Sequence, residues 1–92
     1  MERDYEQTLD MLCTRLHNAF GNYFIWDDET YDSLIAVTVY SIMEKDCDDI
    51  LTHYGCFHTK CYIDMPDGNR GVVFYFHKGF SKEAWLEYQK SF

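Results

Sequence analysis

The chain is short of breaks. It has one proline and five glycines in 92 residues, with no stretch rich in either, so no linker divides it. A single domain over residues 1–92 is expected. The longest mostly apolar run, Leu34 to Val39, is too short to span a bilayer. The opening Met-Glu-Arg-Asp-Tyr-Glu has neither the basic nor the apolar region of a secretion signal. These absences lead to the expectation of a cytoplasmic protein. Its four cysteines (Cys13, Cys47, Cys56 and Cys61) are then expected to stay reduced, as small apolar side chains.

Basic charge is also scarce. Eight Lys and Arg stand against sixteen Asp and Glu, for a net charge of −8. Such a chain repels phosphate, so direct binding to nucleic acid or to an anionic membrane is not expected. Catalytic signatures are missing too. There is no Gly-rich phosphate loop, no Gly-x-Ser-x-Gly and no His-Glu-x-x-His. Neither enzyme activity nor a cofactor is expected.

What is abundant is aromatic surface and local acidity. Eight Tyr, seven Phe and two Trp make 18% of the chain, more rings than a small core holds, so several Tyr are expected at the surface. A small fold using large rings to fill its core is the plainer reading of the same count. The acids are uneven: residues 1–50 hold twelve against three bases, and residues 51–92 hold four against five.

Periodicity outlines the elements. Tyr5, Leu9, Leu12, Cys13, Leu16 and Phe20 recur at helical spacing, which predicts a helix over about residues 3–20 with Gly21 as its cap. Tyr23-Phe24-Ile25-Trp26 reads as a short buried strand, followed by a turn at Asp27-Asp28-Glu29-Thr30. Residues 31–41 are rich in Ile, Val and Thr and favour a strand, with a buried helix from Thr30 as the alternative. Ser41-Ile42-Met43-Glu44 matches a capping box. The stripe Ile42, Met43, Cys47, Ile50, Leu51, Tyr54 then predicts a second helix ending at Gly55.

Asp67-Gly68 suggests a two-residue hairpin turn with Pro66 facing Asn69. In that register Phe57, Cys61, Ile63 and Met65 share a face with Val72, Phe74 and Phe76. His58, Lys60, Tyr62 and Asp64 share the other with Val73, Tyr75 and His77. Ser81 reads as the cap of a last helix carrying Trp85, Leu86, Tyr88 and Phe92. The order α-β-β-α-β-β-α predicts an α+β fold, a four-stranded, mainly antiparallel sheet with helices on one face.

Two constellations invite function. The hairpin register sets His58 opposite His77 with Cys56 nearby, a conceivable metal site or acid–base pair. Strand alternation argues against a wider zinc set, because Cys61 must point away from Cys56 and His58. No metal is therefore expected, and two histidines on a sheet face are the plainer reading.

The second constellation is acidic. Asp27, Asp28, Glu29 and Asp32 cluster without a base, Tyr31 lies among them, and Glu44, Asp46, Asp48 and Asp49 add a patch on the second helix. Glu2, Glu6 and Asp10 add a third on the first. Carboxylates so spaced can imitate a phosphate backbone for a Lys- and Arg-lined groove and speed encounter with it. A solvated surface kept for solubility is the simpler account. In size, charge and aromatic content the chain is similar to small acidic inhibitors such as anti-CRISPR proteins of phage and toxin-neutralising immunity proteins, with no motif that identifies a family. The likeness implies a protein that covers a basic, nucleic-acid-binding site of a target enzyme. A small metal-binding or His-pair enzyme on Cys56, His58 and His77, or a self-associating accessory subunit, are the alternatives.

Overall fold

Helix α1 (Tyr5–Phe20) forms on the expected periodicity, and Leu12, Leu16 and Phe20 are buried along one side of it. The structure, a computed structural model, describes residues 5–80 and 82–90. The expected start at residue 3 lies outside the described residues, as do Glu2, the side chains of Tyr5 and Glu6, and the cap at Ser81. Phe92 and the side chains of Trp85 and Tyr88 lie outside them as well. The Gly21 N–H closes α1 on the His17 carbonyl at 2.7 Å. Cys13, expected in the core, is only half-buried.

Four strands follow in the expected order. Strands β1 (Phe24–Asp27) and β2 (Leu34–Tyr40) form one hairpin; β3 (His58–Asp64) and β4 (Arg70–His77) form another. The sheet is antiparallel throughout with order β1-β2-β4-β3, so β2 and β4 are central and β1 and β3 are edges. Residues 34–40 settle as a strand. Leu34 through Val37 are all buried, which explains why the run does not alternate cleanly: a central strand can be covered on both faces. The stretch expected as a buried strand at Tyr23–Trp26 is an edge instead, with Tyr23 64% and Ile25 59% exposed.

Ser41–Met43 is a short 3-10 turn, and helix α2 (Glu44–His53) begins only after it. The capping box is not formed. Met43 is the N-cap, with no side-chain cap bond, because the 3-10 turn sets Ser41 two residues ahead of that position. Ile42, expected on the buried stripe, is 87% exposed, whereas Cys47, Ile50 and Leu51 are buried. Helix α3 (Lys82–Lys90) follows β4 and contacts it, with Leu86 left 44% exposed.

The core joins α1 and α2 to one face of the sheet. Leu12, Leu16 and Phe20 of α1 and Cys47, Ile50 and Leu51 of α2 pack on Ile35, Val37 and Val39 of β2 and Val72, Phe74 and Phe76 of β4. Each such fully buried apolar side chain contributes about 1.5–3 kcal/mol relative to exposure. Phe80 takes a left-handed backbone at φ 64° to bring its buried ring against Phe76, 5.9 Å between centroids. Strain of about 1–3 kcal/mol at such a residue is offset by that burial.

The second hairpin corrects the expected register by one residue. Met65 N–H donates to the Asn69 carbonyl at 2.8 Å and Gly68 N–H to the Met65 carbonyl at 3.0 Å. The connection is therefore three residues, Pro66-Asp67-Gly68, and Gly68 at φ 88° occupies the left-handed position that closes it. His58 then faces Phe76, Lys60 faces Phe74 and Tyr62 faces Val72. The faces of β3 are consequently exchanged. His58, Lys60 and Tyr62 lie on the helix side, and Thr59, Cys61 and Ile63 lie on the other.

Candidate partner-binding site

The segment between β1 and β2 is held from within. The Asp27 carboxylate accepts the N–H groups of Glu29 and Thr30, both at 3.1 Å, the pattern of an Asx turn. The Thr30 side chain, and then these backbone donors, hold the Asp27 carboxyl below its usual range. Across the base of the loop, Lys78 N–H donates to the Ser33 carbonyl at 3.0 Å and Lys78 Nζ to the Asp28 carbonyl at 3.3 Å. Lys78 thus grips backbone rather than a carboxylate. Asp28, Glu29 and Asp32 are exposed, and among the described residues no salt bridge engages them.

Tyr31 gives this loop an apolar anchor. Its ring meets Tyr75 edge to face at 6.0 Å, and it remains 36% exposed. The Tyr75 phenol is pushed up to about 12, first by burial and then by Cys61 and Tyr31 beside it. Loop and sheet face are therefore joined through a tyrosine pair. Asp28, Glu29, Tyr31 and Asp32 come together here as one exposed, acidic, aromatic surface, with Asp27 half-buried at its base.

The acids of α2 divide differently. Glu44 Oε2 accepts from Lys60 Nζ at 2.8 Å and from the Tyr62 hydroxyl at 2.7 Å. Lys60, then Tyr62, holds the Glu44 carboxyl below its usual value. Asp48 pairs with His58 Nε2, while His58 Nδ1 lies 2.8 Å from the Cys56 carbonyl. Glu44 and Asp48 therefore bind α2 to β3 rather than face outward. Asp46 and Asp49 are exposed beside Arg15, Ala19, Phe20 and Ile50 in a groove of about 390 Å³ between α1 and α2. Among the described residues Asp49 has only a 4.0 Å salt bridge, to the exposed Lys45, of a kind worth little.

The histidine pair does not form. His58 lies on the helix face against Asp48 and edge to face with Phe74 at 5.6 Å. His77 lies on the opposite face, where its Nδ1 accepts the Gly79 N–H at 2.9 Å. Burial, and then the Lys78 charge, lowers its pKa. Among the described residues no group of three or more His, Cys, Asp or Glu is placed to hold a metal ion. No described helix is long and apolar enough to cross a membrane.

A further surface went unnoticed in the sequence. At the opposite end of β2, Tyr23, Tyr40, Ile42, Met43, Asp67 and Arg70 line a groove of about 490 Å³. The Tyr40 hydroxyl donates to Asp67 Oδ2 at 2.7 Å, tying the hairpin tip to the end of β2. The signal was the Pro-Asp-Gly triplet, which favours a three-residue turn and swings Asp67 back over β2. No family model matches the chain, and no curated protein or solved structure is similar to it beyond chance.

Proposed function

We propose that the protein is a binding protein, an inhibitor that covers a basic nucleic-acid-binding site on a target enzyme with the loop from Asp27 to Asp32. It acts in the cytoplasm, without catalysis or a cofactor. One observation carries the reading: the Asp27 carboxylate and Lys78 hold the loop by its backbone, and Asp28, Glu29 and Asp32 stay exposed around Tyr31. A pre-formed loop loses little freedom on binding, and tyrosine is among the residues enriched at interface hot spots. The remaining Asp46 and Asp49 extend the negative field and favour encounter.

The test is an affinity capture from nuclease-treated lysate, washed at rising salt and read by mass spectrometry. A nucleic-acid-binding enzyme should be retained at low salt and lost at high salt, and it should cease to bind its own DNA or RNA when this protein is added. The identity of that enzyme separates a nuclease toxin from a defence effector. A partner held equally at all salt concentrations, or one still binding nucleic acid in the complex, sinks the proposal.

A further inference from the structure

The two edges of the sheet are not alike. Strand β1 offers four residues, whereas β3 offers seven, His58 to Asp64, with no proline among them and an unbroken register against β4. Edges of this kind are templates for another strand. The parity of β3 follows from its turn. Met65 bonds toward β4 through its N–H, so Ile63, Cys61 and Thr59 also turn their backbone groups to β4. His58, Lys60, Tyr62 and Asp64 turn theirs outward, away from the sheet.

We propose that two copies of this chain pair through β3, antiparallel, about a two-fold axis at Cys61. In that register Asp64 meets His58 of the second copy and Lys60 meets Tyr62. Thr59 meets Ile63, and Cys61 meets itself at a non-hydrogen-bonded position where side chains are closest. Each of these matches joins residues on the same face, so the sheet continues across the axis.

Shifting the register by two residues sets Lys60 against Lys60 in one direction. In the other it sets His58 against Pro66, which has no N–H to give. Charge favours the same edge. The chain carries −8, yet within β3 Lys60 and Asp64 balance, so two acidic molecules meet there without net repulsion from the strand itself. Helix α2 already fixes the outward residues, through Glu44 on Lys60 and Tyr62 and through Asp48 on His58. Exposed Tyr62 (54%) and Ile63 (36%) supply apolar area to cover. A single strand pair is a small interface, so the dimer is reversible and depends on concentration. It uses the edge strand and not the acidic loop, so this proposal and the inhibitor reading fail separately.

Sedimentation equilibrium under reducing conditions tests it, starting from a single-chain mass of 11.0 kDa. The mass should rise toward twice that value with concentration. Tyr62→Pro removes an outward N–H and leaves the β4 ladder intact, so this variant should stay a monomer. Should that variant not fold, thiol pairing decides. With Cys13 and Cys61 changed to serine, Thr59→Cys and Ile63→Cys proteins are treated with diamide, which takes two hydrogens from a thiol pair. The two variants should cross-link when mixed, and neither should cross-link alone. A one-chain mass at every concentration, a dimer that survives Tyr62→Pro, or cross-linking of each variant only with itself overturns the proposal.

Discussion

Two groups of carboxylates in this protein look alike in the sequence and do different work in the fold. Those of α2 that face β3, Glu44 and Asp48, meet Lys60, Tyr62 and His58 and fasten an edge strand to a helix. Those of the β1–β2 loop meet the Thr30 side chain and the loop's own backbone, or nothing charged among the described residues, and keep their field for the outside. Negative charge is therefore not in itself a docking surface. What decides is whether the neighbouring element brings a cation or an N–H.

That contrast can be broken most forcefully at the loop. Replacing Asp28, Glu29 and Asp32 together by lysine, with Asp27 kept as the loop's cap, should weaken capture of the proposed partner about a hundredfold or more, since like charges set against each other cost several kcal/mol. Its urea midpoint should stay near that of the parent, as exposed substitutions change stability by about 0.5 kcal/mol or less each. Unchanged affinity would mean that the loop is solvated surface.

The reverse outcome is expected at the seam. His58→Ala removes a half-buried ring that holds α2, β3 and the Cys56 carbonyl, and should cost about 1–3 kcal/mol in urea unfolding. Partner capture through the loop should be unaffected. The smallest effect belongs to Glu44→Gln and appears only in acid. The Glu44 carboxyl titrates below its ordinary 4.5 in the folded chain, so its contribution is present above that pH. It is lost as pH falls through the lowered value. Melting temperature should therefore fall less steeply on acidification in Glu44→Gln than in the parent, and parallel curves would remove Glu44 from the seam.

The elements of this fold were legible in the sequence because their signals are local. Helical spacing marked α1, β-branched residues marked β2, and Asp-Gly marked the hairpin. The face of each strand was not equally legible. Face depends on a count of turn residues, and Pro66-Asp67-Gly68 holds one more than the dipeptide alone suggests. From that single residue came the misplaced His58–His77 pair. It also hid the partners of Glu44 and Asp48, which lie 18 and 10 residues away at Tyr62 and His58. The loop acids were read more securely, since contiguous residues share a loop whatever the register. Ile42 was misread for a different reason: a 3-10 turn rotates a side chain off the stripe that an α-helix would give it.

The hairpin turn also pins Met65 opposite Asn69, which makes the strand before it sensitive to deletion. Losing one residue at Asp64, with the turn and its Met65–Asn69 bond kept, would invert every remaining side chain of β3. Cys61 and Ile63 would then roll beneath α2, while His58, Lys60 and Tyr62 would leave their carboxylates and turn to the far face. A frame-preserving codon loss at the end of β3 would thus rewrite the chemistry of a whole strand, a change that point mutation would need several steps to match.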